Sequence, residues 1–472
     1  MRFVSTRGRS KSVDFESALL AGYASDGGMY MPQSWPDLPW TQWRHCTYPQ
    51  IVQKVCECFM DDKLPLNDLC ARVYAPSNWT HADIAPLHAL TEDVHVLELY
   101  HGVTWAFKDY SLMMVGQLLQ HYLQQRQQHQ TVIVATSGDT GSSAMEAIRD
   151  QPNLDIIVLL PDKRCSRIQR LQMVTVDAHN VHCMAADGNS DELDDALRPI
   201  FSDTRFCAEH NVGCVNSINC ARVLLQMAHW LYAYLQLAGD DCRKPITFVV
   251  PTGAAGNVTA GIMLSLIYNV PLRIVLCTGP NDIMHQLVQN GTMNTREAEM
   301  SLAPAIDIQV PYNVERILWL LSGQNSELID SMMSKFYDTG KLSLDAELHK
   351  KLRSSVVDSV SVSNDQMLCA MRRCFKDYTY HVCPHTATAM HYAFENKDVR
   401  PIICVSTASP QKFCDVYNEQ LADMPAPDVH KRQLDILMKK YVKEPIELKR
   451  DDMQNWTHVV RQKVRQISER VK

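Results

Sequence analysis

Thr131-Val132-Ile133-Val134-Ala135 runs straight into Thr136-Ser137-Gly138-Asp139-Thr140-Gly141-Ser142. A short run dominated by β-branched residues, without polar alternation, reads as a strand buried on both faces. The turn after it supplies hydroxyls, two glycines and an aspartate, the residue types that open a helix. A buried strand feeding a helix is the repeating unit of a parallel sheet. Working outward, similar apolar runs occupy 155–160, 246–250, 273–277 and 401–406, and amphipathic stretches fill 221–237 and 256–267. The pattern predicts an α/β protein with parallel or mixed sheets and helices on both faces. Residues 1–95 lack the alternation and are rich in Pro and Trp, which marks them as an N-terminal accessory unit. The rest divides into a smaller α/β unit over 96–240, a larger one over 241–430 with a helical insertion at 291–382, and an extension over 431–472.

The 472 residues suffice for two or three domains, and 46% hydrophobic with 21% charged residues fits a globular protein. A net charge of −7 argues against general nucleic-acid binding, which needs a basic face. No apolar run reaches the ~18 residues of a membrane span. Asp14 and Glu16 stand where a secretory signal would be apolar, and the sixteen scattered cysteines show no paired metal-ligand spacing. These features lead to the expectation of a cytoplasmic protein with no membrane and no metal partner. The segment from His430 carries twelve Lys or Arg against six acids. It places Trp456, Val460, Val464, Ile467 and Val471 on one helical face, as in a docked terminal helix with a solvated basic side.

Lys108 lies in Leu97-Glu98-Leu99-Tyr100-His101-Gly102-Val103-Thr104-Trp105-Ala106-Phe107-Lys108-Asp109-Tyr110. Desolvation beside Phe107 and Trp105 favours a neutral, nucleophilic amine suited to a Schiff base with an aldehyde. Taken alone, Phe107-Lys108-Asp109 reads rather as a salt-bridged lysine at a helix start, and Phe375-Lys376-Asp377-Tyr378 repeats the same four letters, Phe107 to Tyr110, without the apolar lead-in. Four turns supply the context. Thr136 to Ser142 presents hydroxyls and N–H groups suited to a carboxylate or phenolate oxygen. Pro251-Thr252-Gly253-Ala254-Ala255-Gly256-Asn257 lets a phosphate approach backbone N–H groups at a helix start, yet is neither a Walker A loop nor a GxGxxG fingerprint. Cys383-Pro384-His385-Thr386-Ala387 offers His385 as an acid–base group or as a capping histidine. Ser406-Thr407-Ala408-Ser409-Pro410-Gln411-Lys412-Phe413 places a hydroxyl at a strand end, where it can face a ring nitrogen. An aldehyde-binding lysine with oxygen, phosphate and ring-nitrogen partners describes pyridoxal 5'-phosphate.

Beyond these turns, Ser5-Thr6-Arg7-Gly8, Phe15-Glu16-Ser17-Ala18-Leu19-Leu20, Asp26-Gly27-Gly28-Met29-Tyr30-Met31-Pro32 and Asn216-Ser217-Ile218-Asn219 complete an ordered series. Nearly end to end, the chain resembles the threonine synthase family, fold type II of the pyridoxal-phosphate enzymes, built like the tryptophan synthase β subunit. Gly188-Asn189-Ser190-Asp191-Glu192-Leu193, Gly253 to Asn257, and Asp307-Ile308-Gln309-Val310-Pro311-Tyr312-Asn313 before Glu315-Arg316 resemble its phospho-lyase branch. Ala254-Ala255 replaces the Asn-Phe usual in microbial members, Cys383 replaces an acid, Val103 a proline, and Asp162 a lysine. The resemblance implies that Lys108 holds the cofactor. Gly253, Ala254, Ala255, Gly256 and Asn257 would cradle its phosphate, and Thr407 would face the pyridine nitrogen. Ser137, Asp139 and Thr140 would lie near the ring oxygen or the substrate carboxylate. Arg316, with Lys163, Arg164 or Arg167 compensating for Asp162, would meet the substrate anion.

The expected reaction removes a proton from Cα of an amino acid with Lys108 as base. Phosphate then leaves O-phosphothreonine or O-phosphohomoserine, giving 2-oxobutyrate and ammonia. Threonine synthase, which adds water at Cβ, is the runner-up. A non-catalytic binding or signalling protein is the third reading. The expected partner is a small phosphorylated amino acid, and the chain a monomer or homodimer.

Overall fold

The computed structural model describes residues 1–60 and 63–471. Two sheets organise it. The smaller is wholly parallel, in the order Ile446–Leu448, Val181–Ala186, Leu154–Pro161, Gln130–Ala135, Val212–Gly213. The larger runs Asp358–Ser361, Leu272–Thr278, Ile246–Pro251, Ile402–Ser406, Val94–Glu98, Leu87–Ala89, and only its last strand is antiparallel. All residues of Gln130–Ala135, Leu154–Pro161 and Ile246–Pro251 are buried, as expected for parallel strands covered on both faces.

Two helices carry the cleft between the sheets. Cys220–Ala238 is buried nearly all round, so it forms a central pillar. Asn219 caps it by accepting from the Ala221 N–H at 3.2 Å. Gly256–Tyr268 follows Ile246–Pro251 directly, setting its N-terminus at the carboxyl end of a central strand.

The N-terminal unit has a three-stranded antiparallel sheet, Val13–Asp14, Arg2–Ser5, Tyr30–Pro32, and the helices Tyr48–Phe59 and Leu66–Val73. Its Tyr48 ring packs edge-on against Tyr110 and Tyr232 at 5.5 and 5.7 Å, so the unit shares the main core.

Two points differ from the sequence expectation. A division at 95/96 cuts the strand Val94–Glu98, which pairs with Ile402–Ser406 in the larger sheet. The span 291–382 is not only helical, since Asp358–Ser361 forms that sheet's edge. The expected terminal helix is docked: Met453–Val471 packs on the smaller sheet through Trp456, Val460, Val464 and Ile467, and Ile446–Leu448 extends that sheet. Val471, placed on the same face by periodicity, is exposed. Among the described residues no helix is long and apolar enough to cross a membrane, and no His, Cys, Asp or Glu cluster is suited to a metal ion.

Candidate active site

A cleft opens where the carboxyl ends of the two sheets face each other. Lys108, Ser137, Asp139, Thr140, Gly253, Ala254, Ala255, Gly256, Asn257 and Thr407 all line it. Parallel strands deliver their following turns to this edge, so four separated turns converge.

Lys108 immediately precedes the helix Asp109–Arg126, and its Nζ lies 3.8 Å from the centroid of the Phe107 ring. Burial brings its amine down to about 7; Asp139 opposes that fall, while Arg222 and Lys412 add to it. Near neutral pH a large fraction is therefore the free base. The neighbouring Asp109 is engaged elsewhere, accepting from the Thr104 N–H at 2.8 Å and hydroxyl at 2.6 Å. Trp105, expected to flank the amine, instead stacks on His430.

Asp139 faces the amine from the smaller sheet. Burial would raise its carboxyl, but Lys412, at 2.7 Å, and Lys108 hold it at about 2. Gln169 Nε2 donates to the same oxygen at 2.8 Å. The turn beneath is set by Thr136 Oγ1, which accepts from the N–H groups of Gly138 and Gly141 at 3.0 and 2.9 Å.

Opposite, the loop from Pro251 to Asn257 bends through Ala255, whose φ is +61°. A Cβ on Gly253 would stand 3.0 Å from Ile306 Cα and 3.2 Å from the Ala305 carbonyl, so a side chain there would crowd the backbone opposite. Asn257 tests what this cradle fits. Its Oδ1 accepts from His229 Nε2 at 2.8 Å and Trp230 Nε1 at 2.7 Å, which fixes the amide. Its buried Nδ2 has no partner among the described residues. A surplus donor, a bare loop and a helix N-terminus fit a phosphate group. Thr407 is tied to the lysine loop, its carbonyl accepting from the Phe107 N–H at 2.9 Å.

The cations expected from sequence lie elsewhere. Lys163 is exposed and pairs with Asp187 at 3.4 Å; Arg164 donates to the Ala298 carbonyl at 3.4 Å; Arg167 is exposed near Asp415. Asp162 is taken by Arg170 at 2.6 Å. Arg316 is fully buried; its two Nη groups donate to the carbonyls of Ser217 and Ile218 and to Asn313 Oδ1, and its Nε has no partner among the described residues. These contacts brace the loop after Asn216, and Arg316 is not among the residues lining the cleft. His385 is a neutral acceptor: its Nε2 receives the Ala305 N–H at 3.0 Å, and burial lowers it to about 4.

Two cations not singled out from the sequence lie at or beside the cleft. Arg222, on the Cys220–Ala238 helix, lines the cleft; its Nε donates to Ser111 Oγ and an Nη to the Val215 carbonyl, both at 2.8 Å. Among the described residues no carboxylate pairs with it. Lys412 is the buried partner of Asp139. The available signals were a lone arginine opening an apolar helix and a lysine five residues after Thr407.

A cleft at the carboxyl ends of parallel strands, holding a buried lysine with lowered proton affinity opposite a loop fit for a phosphate, is the arrangement of a fold type II pyridoxal-phosphate enzyme. Residues 2–75 match the model "Threonine synthase N terminus" and residues 83–402 match "Pyridoxal-phosphate dependent enzyme". The chain is 45% identical over 428 residues to human "Threonine synthase-like 2", covering 88% of each. It is 40% identical over 478 residues to the Xenopus laevis protein of that name, covering 100% of this chain and 99% of the other. The structure matches pyridoxal-phosphate-bound threonine synthase from Brucella melitensis with a TM-score of 0.88 and 29% identity, covering 99% of each chain. This chain belongs to the threonine synthase family, and its cofactor is pyridoxal 5'-phosphate.

Proposed function

We propose that this enzyme is a phospho-lyase, eliminating phosphate from O-phosphothreonine and O-phosphohomoserine to give 2-oxobutyrate, ammonia and phosphate. The observation that carries this reading is Arg222, a buried guanidinium that lines the cleft with Lys108 and has no carboxylate partner among the described residues. A buried cation without an acid is costly unless an anion joins it. A phosphate on the substrate would complete the site.

When bound, the cofactor withdraws electrons from Cα of an amino acid and so makes its proton removable. Lys108 supplies the base, being in large part the free amine near pH 7 and buried against Phe107. Asp139 stands ready to stabilise the ammonium that results. Gly253 to Gly256, with Asn257 Nδ2, would hold the cofactor phosphate, and Thr407 would hydrogen-bond the ring nitrogen without charging it. Ser137 and Thr140 would orient the substrate carboxylate. Loss of a phosphate at Cβ needs no further group. A phosphate at Cγ needs a second proton removal, at Cβ, within reach of the same amine.

A second reading, threonine synthase, is favoured by 34% identity over 421 residues to the Pseudomonas aeruginosa protein of that name. The two differ in whether water reaches Cβ. The test is an assay of the reconstituted enzyme with each phosphorylated amino acid, measuring phosphate, 2-oxobutyrate and threonine together. Phosphate with 2-oxobutyrate is the expected result; phosphate with threonine from O-phosphohomoserine assigns the synthase. Lys108→Ala is expected to abolish product and the visible absorbance of bound cofactor. No product from either substrate, with that absorbance intact, would overturn both readings.

A further inference from the structure

Lys412 lies in the turn Pro410–Phe413, just after the last strand of the larger sheet, and its side chain is fully buried. Its ammonium reaches Asp139 Oδ1 at 2.7 Å, at the start of the Asp139–Ile148 helix on the smaller sheet. A second donor goes to the Thr104 carbonyl at 2.9 Å, in the loop that leads to Lys108. Its own carbonyl accepts from Ser166 Oγ at 2.8 Å. One side chain therefore ties both sheets and the lysine loop together at the cleft floor.

Stability alone is a poor reason for this arrangement. Burying an ion pair costs desolvation that its attraction often fails to recover, and an apolar pair of similar volume commonly does as well. The pair has a sharper consequence for Lys108. Among the described residues Asp139 is the one carboxylate that favours a proton on that amine; Arg222 and Lys412 oppose it, and the neutral His385 lies beside the same groups. Lys412 itself faces Asp139, Asp109 and the neutral His430, and Asp109 is engaged by Thr104. An Asp139 acting on Lys108 alone would hold the amine as ammonium, unable to take a proton.

We propose that Lys412 is a positioning residue: by sharing the Asp139 carboxylate, it limits how strongly that carboxylate keeps a proton on Lys108. The assignment rests on Lys108 being the base of the proposed reaction. It predicts shifts of opposite sign from the two partners. Lys412→Met leaves Asp139 undivided, so Lys108 releases its proton at higher pH, by about one pH unit. Asp139→Asn removes the attraction and moves the release to lower pH. Lys412→Arg keeps the charge and should stay near the parent.

The measurement is competitive acetylation with acetic anhydride on the full chain freed of cofactor, followed at Lys108 by mass spectrometry across pH. The acid limb of kcat in the cofactor-loaded enzymes, which reports the substrate-bound state in which Lys108 acts as base, should move in the same direction. If Lys412→Met does not fold, the Asp139→Asn shift relative to the parent and to Lys412→Arg decides. A Lys412 that only stabilises the fold would lower the melting temperature and leave the labelling midpoint unchanged, which overturns the proposal. Shifted midpoints in a protein that releases no phosphate would instead remove the phospho-lyase reading and leave the Lys412 assignment standing.

Discussion

The Trp105 indole lies flat on the His430 imidazole, with centroids 5.1 Å apart and planes 14° from parallel. Trp105 adopts a φ of +59°, three residues before Lys108, so the lysine loop makes a turn that the stack helps to hold. His430 comes from the C-terminal segment and is fixed by Ser409 Oγ at 2.9 Å and Thr80 Oγ1 at 3.3 Å. Burial, with His101 and Lys412 adding, lowers its ring to about 3. It is therefore neutral when folded, whereas the unfolded chain takes up the proton near pH 6.5. Its contribution is complete above about pH 6.5 and is lost as pH falls toward 3. His430→Ala should cost about 1–3 kcal/mol from the lost stack and hydrogen bonds. His430→Gln should lose less stability on acidification than the parent. Urea midpoints at pH 7.5 and 5 check both, and equal pH dependence in parent and variant would refute the linkage.

Arg222 is expected to act on substrate affinity and turnover more than on the fold. Removing a buried cation that meets a phosphate should lower kcat/KM by about 3 kcal/mol, roughly a hundredfold or more. Lysine cannot reproduce the fork that reaches Ser111 and Val215 while leaving a donor for the ligand. Arg222→Lys should therefore remain impaired, with KM raised, and bound cofactor should keep its visible spectrum. Near-parental KM in Arg222→Lys would remove Arg222 from the anion site.

What was legible beforehand follows a physical line. Runs such as Val132 to Ala135 and Ile246 to Val250 declare themselves through composition, and Gly253 or Asn257 through backbone needs. Val94–Glu98 did not, because its partner strand Ile402–Ser406 is some three hundred residues away and pairing leaves no local mark. Ile446–Leu448 is too short for any periodicity. The cations failed differently. Local sequence gives Lys163 and Arg316 the right chemistry but not their direction, and tertiary packing turned one to solvent and the other into a brace. Arg222 and Lys412 looked like ordinary members of a helix and a turn, since nothing local marks a side chain that converges with a distant one.

Asn257 should separate cofactor binding from folding. Asn257→Ala orphans His229 Nε2 and Trp230 Nε1, both buried, at a cost of about 1–3 kcal/mol of stability. Asn257→Asp keeps those two acceptor contacts but replaces the free Nδ2 donor with a negative charge beside the phosphate loop. The aspartate variant should therefore stay closer to the parent in cofactor-free melting temperature, yet bind cofactor more weakly than the alanine variant. Cofactor titration by absorbance, beside melting curves of the cofactor-free proteins, reads both quantities. Tight cofactor binding by Asn257→Asp would argue against a phosphate at this helix start.

At the far end of the smaller sheet, Asp155 gathers His129 at 2.9 Å, His182 at 2.8 Å and Arg470 at 2.6 Å. Burial would raise this carboxyl, but hydrogen bonds from the two histidines and Arg470 hold it far below its usual range. It stays ionised in the folded protein down to strongly acid pH, and its contribution is lost only as pH falls below about 4. Arg470 is the one partner from the terminal helix Met453–Val471, and its side chain is partly exposed, so its loss should cost only about 1 kcal/mol. Asp155→Asn should cost more, about 2–3 kcal/mol, because it removes the charge that all three donors share. Hydrogen exchange distinguishes the two. In Arg470→Ala only the last turns of Met453–Val471 should exchange faster, since Trp456, Val460 and Val464 still anchor the rest. In Asp155→Asn the loss of protection should spread to Leu154–Pro161 and Val181–Ala186. Uniform exchange changes in both variants would mean that the helix and sheet open as one unit, and that Arg470 holds no separable end.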